Sequence, residues 1–315
     1  MYRIGVDLGG TNIAAGVVDE NNKIIGRGTE KTNAPRPAEE IFDSLKIAVD
    51  KAVTDAGIDY NDVVSVGIGT PGSVNKDNGY IEFANNLDFN NVPAKEILEE
   101  KLRKPVYLEN DANCAALGEA VAGVGNGVKD FVAVTLGTGV GSGIIIGGKI
   151  VRGVNFCGGE MGHMVINVDG IPCNCGRKGC WEKYASAPAL ISQAVKAMNE
   201  NKDSLLWSTC DNDTAKVDGI SIFKALDMGD ETAKKVVERY LYYVAVGIAN
   251  IVNALQPNMI CIGGGISAQG EKILAPIREY VARERYSIHS KVQTEIVPAK
   301  LANDAGIIGS ALLDE

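Results

Sequence analysis

Apolar and polar positions along this 315-residue chain follow two periods. Residues 4–18, IGVDLGGTNIAAGVV, read as an apolar strand, a glycine-threonine turn and a second apolar strand. Residues 132–146, VAVTLGTGVGSGIII, repeat that arrangement, with Asp7-Leu8-Gly9-Gly10-Thr11 opposite Thr135-Leu136-Gly137-Thr138-Gly139. Both segments run on to Arg-Gly, at Arg27-Gly28 and Arg152-Gly153. Between and after them the apolar period changes to that of amphipathic helices. A helix is predicted over 37–56, with Pro37 suited to its first turn and Gly57 to its stop. Further helices are predicted over 92–102, over 112–122 with Asp111 as its cap, from Ser186 or Ala187, over 230–255, 271–285 and 303–313. Strands are predicted over 63–69, 106–108, 259–262 and 292–297. Residues 199–218 are polar and irregular and predict an exposed connection.

This alternation predicts an α/β protein of mostly parallel sheets covered by helices, and the repeated hairpins predict two related domains. Composition adds exclusions. The net charge of -9 argues against a nucleic-acid partner. The most apolar long stretch, 242–255, is short and carries Asn250 and Asn253, so it predicts a buried helix and no membrane partner. The opening residues lack the pattern of a secretory signal, which predicts a cytoplasmic protein and turns clustered cysteines toward metal and away from disulfides.

The candidate chemistry is concentrated in a few places. Cys173-Asn174-Cys175-Gly176-Arg177-Lys178-Gly179-Cys180 holds three of the seven cysteines, and His163, one of two histidines, lies shortly before it. Three thiolates and an imidazole complete a closed tetrahedral zinc site, which holds structure and does no hydrolysis. Glu160 and Glu182 flank these ligands. A closed site would fix both carboxylates on one knuckle, suited to a polyhydroxylated ligand such as a sugar. The two glycine turns suit a clamp on nucleotide phosphates, because glycine lets backbone N–H groups approach without a Cβ. No lysine follows either turn, so the chain is not a P-loop enzyme. These turns lie elsewhere in the sequence, so the knuckle is expected to matter for the sugar and little for the nucleotide. Asp7 beside a phosphate turn implies an intervening magnesium ion or bound water. Asp111, at the end of a strand and the start of a helix, is either a general base or a plain helix cap. Gly263-Gly264-Gly265 reads either as close backbone approach to a ligand or as ordinary turn chemistry.

The chain resembles the sugar kinases of the ROK family, within the actin-like ATPase superfamily. The resemblance spans essentially the whole sequence. It is carried by Asp7-Leu8-Gly9-Gly10-Thr11-Asn12, Gly69-Thr70-Pro71-Gly72, Asn86-Leu87, Glu109-Asn110-Asp111-Ala112-Asn113, Gly137-Thr138-Gly139-Val140-Gly141-Ser142-Gly143, Gly159-Glu160-Met161-Gly162-His163 and the cysteine knuckle. It implies a two-domain actin-like (ribonuclease H-like) fold, each domain a mixed sheet flanked by helices. The implied domains are a small one of 1–111 plus about 301–315 and a large one of 112–300 carrying the zinc site. It implies ATP, magnesium and structural zinc as cofactors, and a homodimer. Asp111 becomes the catalytic base. Gly72, Asn85, Asn86, Asn110, Asp111, Glu160, His163 and Glu182 become sugar-binding, with His163 serving sugar and zinc through its two nitrogens. Asp7, Gly9, Gly10, Thr11, Asn12, Gly137, Thr138, Gly139, Gly264 and Gly265 become ATP-binding. His163, Cys173, Cys175 and Cys180 hold the metal. Within the family the motifs resemble the glucokinases, which implies transfer of phosphate from ATP to glucose. N-acetylglucosamine and N-acetylmannosamine kinases share nearly every motif. A sugar-responsive repressor of the family would need a winged-helix domain before the first turn, for which the six residues preceding Asp7 leave no room.

Overall fold

The computed structural model describes residues 1–313. The chain begins with β1 (Tyr2–Leu8), β2 (Asn12–Val18), β3 (Ile24–Lys31), α1 (Ala38–Ala56) and β4 (Val63–Thr70). Next come β5 (Ser73–Asn75), β6 (Tyr80–Ala84), β7 (Phe89–Val92), α2 (Ala94–Leu102), β8 (Val106–Asn110) and α3 (Asp111–Val121). The second repeat opens with β9 (Phe131–Leu136), β10 (Val140–Ile146) and β11 (Lys149–Ile150). After the knuckle follow α4 (Glu182–Ala185), α5 (Ala187–Glu200), α6 (Leu206–Thr209), α7 (Gly219–Asp227) and α8 (Glu231–Leu255). The chain continues with β12 (Met259–Gly263), α9 (Glu271–Glu284), β13 (Glu295–Pro298) and α10 (Asp304–Ala311).

One five-stranded sheet has the order β3-β2-β1-β4-β8, the other β11-β10-β9-β12-β13. Counting only each sheet's own strands in chain order, both read 3-2-1-4-5. The sheets are mixed, not mostly parallel. In the first sheet the opening three strands pair antiparallel, whereas β4 joins β1 and β8 joins β4 in parallel. The reason is the connections: a tight turn can only reverse the chain, while a parallel neighbour needs a long crossover such as α1 or α2. This is the actin-like arrangement. By compactness the chain divides into one unit of Met1–Ala133, Gly143–Gly159 and the chain from Ala299 on, and a second of Val134–Ser142 and Glu160–Pro298.

In the first unit α1 buries Ile41, Phe42, Leu45, Ala48, Val49, Ala52 and Val53, a stripe at helical spacing, and ends at Gly57 in the left-handed conformation. On the other face of the sheet lies α10. It approaches β1 so closely that a Cβ on Gly5 would sit 1.8 Å from the Ile307 carbonyl oxygen.

Three predictions shift. The three-stranded sheet β5-β6-β7 falls where no strand was predicted, and β7 takes Val92 from the predicted helix. The cap of α3 is Asn110, not Asp111; the Asn110 side chain accepts hydrogen bonds from the N–H groups of Ala112 and Asn113. Residues 199–218 are not simply an exposed connection. Asp230, which caps α8, also accepts from Ser204 Oγ and the Leu205 N–H, and the Trp207 indole donates to the carbonyls of Met198 and Asn201. Local polar pairing orders this stretch where apolar periodicity could not announce it. Among the described residues no helix is long and apolar enough to cross a membrane.

Candidate functional site

In the first unit the carboxyl ends of β1, β4 and β8 stand side by side. Asp7 and Glu109 both align with Gly69, and Thr70 aligns with Asn110. Ends of parallel strands are where open α/β sheets bind ligands. The first glycine turn closes through the Gly9 N–H to the Asn12 carbonyl at 3.0 Å. It is braced by buried Thr32, whose hydroxyl donates to the Gly9 carbonyl at 2.6 Å. Lys31 donates to Asn12 Oδ1 at 2.7 Å. Gly10 lies against Asn86, in the short helical turn Asn85–Leu87. Asp7, Gly9, Gly10, Thr11 and Asn12 line a cleft of about 450 Å³ together with Arg27 and Asp304. Those last two form a bidentate ion pair at 2.8 and 2.7 Å. Asn110 donates from Nδ2 to the Gly72 carbonyl at 3.1 Å. Beneath it the buried Glu109 accepts from Arg152 Nε at 2.5 Å and from Asn110 N–H and Asn113 Nδ2 at 3.0 Å each.

Two carboxylates of this unit are held out of their ordinary range. Burial raises Asp111, partly offset by hydrogen bonds from backbone N–H groups. Burial and the charge of Asp111 push Asp7 up to about 6. Such a pair relaxes when a cation arrives, and the chemistry of the donors fits magnesium. An ionised Asp7 therefore costs stability in the folded protein. Asp7→Asn should stabilise the fold at pH 7 by on the order of 1–3 kcal/mol. The sign is fixed by the raised value: the folded form holds the proton more tightly than the unfolded chain. The gain should thus be full above pH 6 and fade as pH falls toward 4. Thermal unfolding of both proteins across this range measures it, and a destabilised Asp7→Asn at pH 7 would refute the assignment.

In the second unit the start of β10 gathers the remaining candidates. Val140 N–H donates to Glu182 Oε2 at 3.1 Å, and Met161 N–H donates to Ser142 Oγ at 3.1 Å. The first bond ties Glu182 to the turn of Gly137, Thr138 and Gly139. The second seats the helical turn Met161–His163, which follows Glu160. Gly264, at φ +90°, presses against Leu136, the residue before that turn, and Gly265 begins the short helical turn Gly265–Gln269.

The knuckle is folded by its own backbone. Cys173 N–H donates to the Arg177 carbonyl at 2.8 Å and Trp181 N–H to Met164 at 2.7 Å. Trp181 is fully buried, and its indole donates to the Tyr243 carbonyl at 2.8 Å. The ligand atoms of His163, Cys173, Cys175 and Cys180 all lie within 4.8 Å of one another. Cys175 and Cys180 sulfurs are 3.6 Å apart, and Cys173 Sγ is 3.7 Å from His163 Nδ1. Zinc–sulfur bonds of about 2.3 Å require edges of about 3.8 Å in a tetrahedron. The donor set therefore fits zinc. Nδ1 is the histidine nitrogen turned to the sulfurs, which leaves Nε2 for another partner.

The ROK family model matches residues 3–315. The chain belongs to the ROK family. A glucokinase of Halalkalibacterium halodurans is 39% identical to it, over 99% of this chain and 94% of that protein. The crystal structure of a ROK family glucokinase from Streptomyces griseus in complex with glucose and AMPPNP matches with a TM-score of 0.84 at 37% identity, covering 99% of this chain and 98% of that one. A xylose repressor of Caldicellulosiruptor bescii is 32% identical over 97% of this ROK chain but 76% of its own length. Sequence reading missed the supports of the site: Thr32, Ser142 and the ion pairs of Arg27 and Arg152. The only trace of the last two was the repeated Arg-Gly after each hairpin.

Proposed function

We propose that this ROK-family chain is an ATP-dependent hexokinase that phosphorylates glucose on its 6-hydroxyl, with Asp111 as general base. The observation that carries the reading is the state of Asp111. It is a half-buried carboxylate at a strand-to-helix junction, raised above its ordinary range, while Asn110 does the capping that Asp111 would otherwise do. Near-full-length similarity to glucokinases supports the same reading. A sugar hydroxyl becomes nucleophilic as a base takes its proton, and a carboxyl raised toward neutrality does so more effectively. Asp111 takes that proton. Asn110, anchored to Gly72 and to Glu109, binds the sugar and keeps its neighbour in place. Gly72, Asn85, Asn86, Glu160, His163 and Glu182 are the other sugar ligands, His163 through Nε2. Gly9 to Asn12 and Gly137 to Gly139 hold phosphates, with Gly264 and Gly265 toward the adenosine. Asp7 would hold a magnesium ion, which when bound would supply charge neutralisation for the phosphate oxygens. His163, Cys173, Cys175 and Cys180 hold a structural zinc.

A coupled ADP-release assay on glucose, N-acetylglucosamine, N-acetylmannosamine, mannose and fructose tests the substrate. Glucose should give the highest kcat/KM. A higher value for either N-acetyl sugar would replace glucose, and release with none of them would end the kinase reading.

A further inference from the structure

Glu182 sits between two structures with different tasks. Two residues before it is Cys180 of the metal cluster, and Trp181 between them is locked by burial and by its bond to Tyr243. On its other side Glu182 Oε2 accepts the Val140 N–H at 3.1 Å. That N–H belongs to the residue that leaves the turn of Gly137, Thr138 and Gly139. The turn joins β9 to β10, which are hydrogen-bonded neighbours in the sheet. Gly137 N–H donates to the Gly139 carbonyl at 3.0 Å, and the Gly137 carbonyl accepts from Ala187 N–H at 2.8 Å. Ala187 opens α5, directly beyond the short helix that Glu182 begins. Beyond that strand pairing, both arms of the turn are tied to the segment 182–187. Gly139 shows how close this contact is: a Cβ there would stand 2.4 Å from Glu182 Oε2. Glycine at 139 thus admits the carboxylate as well as any ligand.

We propose that Glu182 is a positioning residue for the second glycine turn as well as a ligand for the substrate, so that one carboxylate couples sugar binding to nucleotide binding. This rests on the sugar-kinase reading above. One oxygen holds the turn, and a carboxylate accepts at both oxygens, so a sugar hydroxyl taken at the other loads the same group. Coupling of this kind is reciprocal: whatever glucose adds to nucleotide affinity, nucleotide adds to glucose affinity. It also revises the expectation that the knuckle matters little for the nucleotide.

The test is titration calorimetry of AMPPNP into the whole protein, with and without glucose, for wild type, Glu182→Ala, Glu182→Gln, Gly139→Ala and the Glu182→Ala/Gly139→Ala double variant. Zinc content is measured in each. Glu182→Ala should keep its zinc and bind AMPPNP about tenfold more weakly in the absence of glucose, the scale of one hydrogen bond to a charged acceptor. Glu182→Gln keeps an acceptor oxygen, so it should restore AMPPNP affinity to within about threefold of wild type while glucose binding stays weak. In both variants glucose should no longer tighten AMPPNP. The double variant should be little worse than either single one, since both break the same contact. Zinc-loaded Glu182→Ala that binds AMPPNP like wild type would overturn this proposal and leave the kinase reading standing. Wild type that binds no AMPPNP would sink both.

Discussion

Asp111→Asn should fold and bind glucose within a few-fold of wild type, while kcat falls by roughly 10²-fold or more. The fold is expected to survive because the cap of α3 belongs to Asn110, whose side chain already holds the Ala112 and Asn113 N–H groups. The amide has nearly the shape of the carboxylate and can still accept from the Ala112 N–H, which Asp111 Oδ1 meets at 2.8 Å. What it cannot do is take a proton. Burial raises Asp111, so the wild-type rate should begin to fall on the acid side at a higher pH than an ordinary carboxylate would give. Asp7 shares that titration through its charge, so the acid limb reports the pair and not one residue. The measurements are kcat and glucose affinity at pH 7, with the kcat/KM profile of wild type. Substantial turnover by a folded Asp111→Asn protein would remove Asp111 from the role of base.

The second large effect is expected at the knuckle. Protein purified without added zinc should contain about one zinc per chain, and Cys175→Ser should contain little. Cys175 is the exposed member of the cluster, so the substitution removes a ligand without opening a hole in the core. Glucose KM should then rise by up to about 10²-fold, because Glu160, His163 and Glu182 lose their common support and a misplacement of about 1 Å costs that much. The effect on KM for ATP should be smaller, limited to what Glu182 contributes through Val140. Zinc retained at one equivalent with two of the cysteines replaced would show the ligand assignment to be wrong. Equal losses for glucose and ATP would make the knuckle a general stability element.

The parts of this molecule legible in the sequence are those written in local pattern. The stripe of α1, the hairpins around each glycine turn and the close spacing of Cys173, Cys175 and Cys180 each lie within a short window, where periodicity or spacing speaks directly. The sheet β5-β6-β7 is not legible because its strands are short and carry Asn75, Glu82, Asn90 and Asn91, so the alternation is broken. The cap of α3 was misassigned because Asn110 and Asp111 are both good caps, and only the backbone angles of Asn110, φ -64° and ψ 143°, decide between them. The bond from Glu182 to Val140 joins positions far apart in sequence, and nothing local to either announces it. The same holds for Arg152 on Glu109.

The seat of α10 against β1 has a consequence for synthesis. The inner face of β1 and β4 is completed by residues 304–311, and Gly5 and Gly67 are shaped to receive the carbonyls of Ile307 and Ser310. On the ribosome, β1 to β4 emerge long before that helix exists. The second unit is finished by Pro298, and the first gains its last wall only from Ala299 on. A growing chain must therefore carry a bare apolar face through the making of the whole second unit. The domain that begins first is the one that closes last, and in that interval it is the part of the nascent protein most exposed to aggregation or to a chaperone's grip.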